Sequence, residues 1–178
     1  DRFALKQGAD VVVHFDADGQ HLAEEIPQLI QPIVSGQVDA VLGSRMMTKK
    51  NALAGGMPWW KFAANIFLTQ LENLILGLRL TEYHSGFRAY SKKVLTALPL
   101  EENSNDFVFD TEIIIQLKVN GFLIKEVPIA TRYFKEASMI GLAKSLAYGL
   151  AILKTLLAYT LFKFFQLNRK NYLKNVKA

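Results

Sequence analysis

Val11-Val12-Val13-His14-Phe15-Asp16-Ala17-Asp18-Gly19-Gln20-His21 sets a run of β-branched residues directly against two carboxylates one residue apart. Three consecutive valines have the bulk and branching of a buried strand. Asp-Ala-Asp-Gly cannot continue such a strand without carrying charge into a core, so the chain surfaces at Asp16. In open α/β sheets that strand end is where ligands sit. Asp16, Asp18 and the amide oxygen of Gln20 are hard donors suited to Mg²⁺ or Mn²⁺, with a phosphate completing the shell. Spacing alone leaves a second reading open, an Asp-Gly turn decorated with acids.

On the upstream side, Arg2 to Gly8 reads as the end of a helix already under way, closed by glycine. Downstream, Leu22 to Ser35 has a helical pattern, with Glu24 and Glu25 early, where the helix dipole favours acids. Pro27 is tolerable in a first turn, whereas Pro32 sits deeper and is expected to kink or split the helix. Gly36 ends it and Val38 to Leu42 is a second strand. Strand, helix and strand within about thirty residues make a βαβ unit, so a parallel sheet and an α/β class follow.

Gly43-Ser44-Arg45 closes that second strand, again at the ligand end. Thr48 to Met57 is a polar loop. Trp59 to Leu76 is a long helix with apolar positions all round, stopped by Gly77. Ser85 to Tyr90 is a short extended piece and Lys92 to Leu98 a short helix. A polar loop, Glu101 to Asp106, precedes a helix from Asp110 to Asn120 that Gly121 closes. Phe122 to Tyr133 alternates like a strand, and Pro128 within it points to an edge position.

The chain has 178 residues, enough for one domain with a real core. It has no cysteine, which excludes a disulfide framework and fits a reducing compartment. No secretory signal opens the sequence. The net charge of +5 is unevenly placed: from Ala137 onward the charged residues are Lys144, Lys154, Lys163, Arg169, Lys170, Lys174 and Lys177. The remainder is therefore slightly acidic. A basic, Leu- and Phe-rich tail on such a body points to an anionic membrane surface. Nucleic acid is excluded, since a binder would spread basic residues and stacking aromatics over the folded body.

The division expected is residues 1–136 as the α/β domain and 137–178 as a basic amphipathic tail. On a helical wheel Lys144, Tyr148, Lys154 and Thr155 cluster on one side, with Leu142, Leu146, Leu150, Leu153, Leu156 and Leu157 opposite. Lys163 leaves the polar side, so a break or second helix is expected near Ala158. Lysines interrupt the segment too often for a comfortable span of about 20 apolar residues. An in-plane amphipathic helix fits best, with core or partner packing and a membrane span as the alternatives.

Five landmarks occur in order: Asp16-Ala-Asp-Gly-Gln, Gly43-Ser-Arg, Glu82-Tyr-His-Ser-Gly-Phe-Arg-Ala-Tyr-Ser, Phe109-Asp-Thr-Glu, and Glu126-Val-Pro-Ile running to Arg132. With them the chain resembles family 2 glycosyltransferases of the GT-A fold, and within that family the polyprenyl-phosphate sugar transferases of the dolichol-phosphate mannose synthase type. The resemblance covers nearly the whole chain. It implies a Rossmann-like, mostly parallel sheet flanked by helices, lacking its first strands, with C-terminal amphipathic helices. Relatives begin about 70 to 90 residues earlier, completing a usual domain size. They also commonly carry Asp where this sequence has Glu82.

By this resemblance Asp16, Asp18 and Gln20 hold Mg²⁺ or Mn²⁺ against the diphosphate of a nucleotide-sugar donor, where charge develops as the donor departs. Arg45 ends a strand, where a guanidinium can pair with phosphate bidentately; its plain alternative is a surface arginine closing a turn. Arg88 resembles a donor- or acceptor-phosphate arginine, with a structural salt bridge as the alternative. Arg132, just ahead of the tail, is assigned to the acceptor phosphate. His21 and His84 read as packing or loop residues, and Trp59 and Trp60 as core or membrane-interface contacts.

A lipid phosphate is already an anion near neutral pH, its second pKa being about 6, and can attack unaided. A sugar hydroxyl would need a positioned carboxylate, for which Glu82, Asp110 and Glu112 are the candidates. Asp110 could equally cap its helix. The activity expected is metal-dependent, inverting transfer of a sugar from a nucleotide-sugar to a polyprenyl (dolichyl or undecaprenyl) phosphate, or another lipid-linked acceptor. It would act peripherally at the cytoplasmic face of a membrane. The alternatives are a family 2 transferase acting on a sugar hydroxyl in polysaccharide or glycolipid synthesis, and a truncated inactive chain or partner subunit.

Overall fold

The valine run forms β1, Val11–His14, following a one-turn helix α1, Arg2–Lys6. A computed structural model describes residues 1–48, 52, 53, 55–133 and 141–173. A 3₁₀ turn, Ala23–Glu25, leads into α2, Ile26–Val34. The split falls ahead of Pro27, which occupies the first turn of α2; Pro32 lies in its last turn and leaves the helix unbroken. There follow β2, Ala40–Ser44; α3, Trp59–Leu76; β3, Arg88–Ser91; and α4, Lys92–Ala97. The chain continues with α5, Phe109–Val119; β4, Ile124–Pro128; and α6, Leu142–Phe165.

The four strands form one sheet in the order β1-β3-β2-β4. β2 and β4 pair parallel, but β3 pairs antiparallel with both β1 and β2. The expected parallel sheet is thus a mixed one: three strands run one way and a reversed strand is inserted inside the βαβ unit. Pro128 does sit on an edge strand, at the end of β4 opposite Ser44.

Helices cover both faces, and the strand period of two decides which side chain meets which layer. Val41, Phe87, Ala89 and Val127 pack against Leu29 and Ile33 of α2. On the other face Ala40 and Tyr90 meet Val94, Leu98, Ile113 and Leu117. β2, covered on both sides, is buried throughout. β1, paired here only with β3, is half-buried, which corrects the fully buried strand that its three valines imply.

Gly43 explains the first residue of Gly43-Ser44-Arg45. A Cβ there would lie 2.9 Å from both the Phe87 carbonyl oxygen and the Ile129 side chain, so only glycine lets β3 and β4 close on β2. Ser44 Oγ accepts from the backbone N–H groups of Met46 and Met47, each at 3.1 Å, and turns the chain.

α6 is one unbroken helix through Ala158, so the expected break is absent. Ile152, Leu156, Tyr159 and Phe162 enter the core beside Leu76, Tyr83, Ile114 and Ile115. Each such side chain contributes about 1.5–3 kcal/mol by burial. Tyr148 joins this inward stripe, while Leu146, Leu150, Leu153, Leu157, Phe164 and Phe165 are exposed. The expected grouping of Tyr148 and Thr155 with the lysines is therefore wrong: Lys154 is exposed and Tyr148 turns inward. The proposed boundary at 136/137 and Lys174 and Lys177 lie outside the described residues.

Candidate active site

Because β3 runs backwards, its approach loop starts at the edge of the sheet where β1 and β2 finish. Loops after β1 and β2 and the loop before β3 therefore meet, and they enclose a cavity of about 450 Å³. Asp16, Asp18, Gln20 and His21 line it from β1, Arg45 from β2, and His84 and Gly86 from the loop before β3. Trp60, Lys61 and Asn65 of α3, Asp110 of α5, and Ser145 and Tyr148 of α6 complete the wall.

Asp18 Oδ1 accepts from the N–H of Gln20 at 2.9 Å, which folds the acidic turn back on itself. Asp16 Oδ2 lies 2.8 Å from where a Cβ on Gly86 would stand, so the missing side chain is what lets this carboxylate settle against the loop. Among the described residues no three His, Asp or Glu side chains converge into a metal cluster. Two carboxylates and an amide leave half of an octahedral shell to oxygens of a bound diphosphate and water, and Mg²⁺ is commonly held with several such outside ligands. The donor set fits a hard divalent cation delivered with its nucleotide.

Arg45 and Glu82 form a buried pair. Nε and Nη2 of Arg45 donate to Glu82 Oε1, and its backbone N–H donates to Oε2 at 2.7 Å. Asn65 Nδ2 adds a bond to Oε1 at 2.8 Å. Burial alone would raise the Glu82 carboxyl, but the charge and hydrogen bonds of Arg45 overcome it and hold the group below 4.5. A carboxylate whose two oxygens are committed to Arg45 and Asn65 is a poor general base. Arg45 also donates to Tyr133 Oη at 2.9 Å and to the His84 carbonyl at 3.0 Å, so most of its five N–H groups are committed.

Arg88, among the largest fully buried side chains, behaves as a carbonyl clamp. It donates from Nε to Ser85 O at 2.5 Å, from Nη2 to Tyr83 O at 2.6 Å and from Nη1 to Asp110 O at 2.9 Å. Its Nη2 is 3.4 Å from Asp110 Oδ1. It does not line the cavity, and its structural alternative accounts for all of these contacts. Asp110 does line it. Burial pushes its carboxyl upward and Arg88 offsets that only in part. It sits inside the first turn of α5, where the flanking Val108 makes no side-chain cap bond, so Asp110 is not the expected cap.

Glu112 points elsewhere: it accepts from the N–H and hydroxyl of Ser104, at 2.7 and 3.0 Å, and ties down the loop before α5. Arg132 is exposed and lies outside the cavity lining, though its N–H donates to the Gln20 carbonyl at 3.0 Å. Glu126 of the last landmark accepts from the N–H and hydroxyl of Thr81, each at 2.7 Å, and from the N–H of Glu82 at 3.0 Å. It aims Glu82 at Arg45.

α3 carries what the sequence reading missed. Asn65, Thr69 and Glu72 are buried polar side chains within α3, while Trp59, Phe67 and Leu74 are exposed. Polar residues at i, i+4 and i+7 share one face, and that spacing was the available signal. Glu72 reaches His84, with Oε2 2.9 Å from Nε2.

The sequence model for glycosyl transferase family 2 matches residues 4–98. The chain belongs to that family. It is 38% identical over 130 residues to the UDP-N-acetylglucosamine–dolichyl-phosphate N-acetylglucosaminyltransferase of Methanococcus voltae, covering 73% of this chain and 51% of that one. It is 32% identical over 146 residues to the undecaprenyl-phosphate mannosyltransferase of Micrococcus luteus, covering 79% and 57%. This family 2 chain thus spans about half the length of the curated relatives it matches. In three dimensions it superposes on glucosyl-3-phosphoglycerate synthase of Mycobacterium tuberculosis, whose structure holds Mn²⁺, uridine-diphosphate-glucose and phosphoglyceric acid. The TM-score is 0.58 at 20% identity, over 85% of this chain and 49% of that one. The fold is therefore GT-A.

Proposed function

We propose that this chain carries the catalytic cavity of a glycosyltransferase that moves a sugar from a nucleotide-sugar to a polyprenyl phosphate. One observation carries the reading: the Asp16–Asp18–Gln20 turn opens into the same cavity that Ser145 and Tyr148 of α6 line. That helix turns leucines and phenylalanines outward and holds a stretch, Lys144–Phe165, long and apolar enough to cross a membrane. With Lys144, Lys154 and Lys163 exposed along it, α6 suits an in-plane position on an anionic leaflet, at the cytoplasmic face where nucleotide-sugars are made available. The names of the two curated relatives, both lipid-phosphate sugar transferases, support the acceptor class.

Asp16, Asp18 and Gln20 would hold Mg²⁺ or Mn²⁺, which when bound supplies charge neutralisation at the departing diphosphate. The acceptor phosphate is already nucleophilic, so no deprotonation is required of Glu82, Asp110 or Glu112. Arg45 keeps the cavity wall rigid through Glu82, Tyr133 and the His84 carbonyl. Arg132, tied to Gln20, is the arginine available from outside for an arriving lipid phosphate. Apolar side chains at Met57, Trp60, Leu68 and Phe107 line the route a prenyl chain would take.

The test uses membranes containing the protein, undecaprenyl phosphate and radiolabelled nucleotide-sugars. Label is expected in the lipid fraction, abolished by EDTA and by Asp18→Ala while the far-UV circular dichroism stays unchanged. Transfer surviving full chelation would sink the metal assignment. Label appearing only on a sugar hydroxyl would favour polysaccharide or glycolipid synthesis.

A further inference from the structure

The basic side chains lining the cavity are His21, Arg45, Lys61 and His84. Arg45 is committed to Glu82. His21 packs on Phe87 with ring centroids 5.2 Å apart, and burial lowers its proton affinity. His84 is different. Its side chain is 8% exposed, and behind it stands Glu72, which has no exposure. Glu72 Oε1 accepts from Thr111 Oγ1 at 2.8 Å, and its Oε2 lies 2.9 Å from His84 Nε2. Among the described residues no lysine or arginine pairs with Glu72. The imidazole is the group that stands against this buried carboxylate.

Three further contacts fix the ring. Arg45 Nη2 holds the His84 carbonyl at 3.0 Å. Tyr148 of α6 meets the imidazole edge-on at 5.7 Å, and Tyr83 lies at 6.4 Å. With Nε2 turned 2.9 Å from the Glu72 carboxylate, Nδ1 is the ring nitrogen left to meet a ligand. The charged and titratable groups around it are Glu72 from α3, Asp110 from α5, Tyr148 from α6 and Arg45 after β2.

We propose that His84, oriented by Glu72, receives the phosphate of the acceptor lipid through Nδ1. This rests on the transferase reading above and adds a cavity group to Arg132, which meets the phosphate from outside. α6 favours the acceptor over the donor diphosphate, because the helix whose outward face suits lipid is also the one whose Tyr148 packs on this ring. Glu72 is a positioning residue and touches no substrate.

The protein has three histidines, so [¹⁵N]histidine labelling gives a tractable spectrum, assigned with His84→Gln. Geranyl phosphate should move the His84 ring resonances in the wild-type protein. UDP with Mg²⁺ should leave them nearly unmoved. Loss of one charged hydrogen bond should weaken geranyl phosphate about tenfold in His84→Gln. Glu72→Gln should redistribute the ring tautomer in the long-range ¹H–¹⁵N spectrum, a signature that loss of packing alone would not give. The wild-type titration needs no variant to fold. Geranyl phosphate that binds with His84 still, or a ring that answers only to UDP and Mg²⁺, overturns the assignment while leaving the transferase reading intact. Absence of binding by either ligand, together with absence of transfer in membranes, overturns both.

Discussion

Asp16 Oδ2 occupies the space that a side chain on Gly86 would claim, 2.8 Å from the position of its Cβ. The glycine of the Ser-Gly-Phe-Arg landmark is thus bound to the acidic turn 70 residues earlier by excluded volume.

Gly86→Ala should displace the Asp16 carboxylate, which is a flexible side-chain end, and leave the backbone in place. Stability should change by less than about 1 kcal/mol, while misplacing the carboxylate by about an ångström should lower sugar transfer about a hundredfold. Urea unfolding alongside transfer assays checks both. An alanine variant with full activity would remove the carboxylate from the reaction.

Glu82→Gln leaves the Arg45 guanidinium buried without its counter-charge, and breaking a buried pair costs about 3–5 kcal/mol. The pH dependence has a definite sign. Glu82 is held below 4.5 in the fold, so the folded state binds fewer protons there than the unfolded chain. Its contribution is complete above about pH 4.5 and drains away as pH falls through the lowered value. Glu126 acts in the opposite sense, since burial raises its carboxyl above 4.5, and it offsets part of the slope. Chemical denaturation from pH 3 to 7 should show a shallower acid limb in the variant than in the wild type.

Arg88→Lys cannot reproduce a fork that reaches three carbonyls, because lysine is a point charge on a flexible stem. Stability should fall by about 2–4 kcal/mol, and thermal melts should register it with or without nucleotide. A loss confined to substrate affinity would instead restore Arg88 to the phosphate role.

Leu150→Glu with Leu157→Glu alters two exposed, outward positions of α6. Vesicle binding should drop at least about tenfold from lost apolar insertion and added repulsion from anionic lipid, with melting unchanged. Sedimentation with vesicles containing phosphatidylglycerol measures it. Retained binding would place the membrane contact elsewhere.

Much of the architecture was legible because local chemistry and tertiary structure agree along most of the chain. The extents of α3 and α5, the βαβ pattern and the edge position of β4 follow from periodicity, glycine stops and Pro128. The reversed direction of β3 was not legible, since Arg88-Ala-Tyr-Ser reads the same either way and pairing direction depends on residues far off in sequence. The acidic turn, Arg45 and Asp110 were named from sequence and line the cavity. Arg45, Arg88 and Glu82 were recognised as special, but sequence could not show that they satisfy one another and backbone carbonyls. The inward face of α6 was misjudged because a wheel weighs Tyr148 as polar, whereas the fold uses its ring.

The reversed β3 also bears on how the protein comes to be folded. β1 is hydrogen-bonded in the sheet only to β3, through Val11↔Ser91 to His14↔Arg88. Its sheet pairing to β3 closes a loop of more than seventy residues, and such distant pairings form slowly, whereas the packing of Val11 and Val13 against α2 is nearer in sequence. The register between β1 and β3 that presents the acidic turn is thus set only after α2 and β2 have been made.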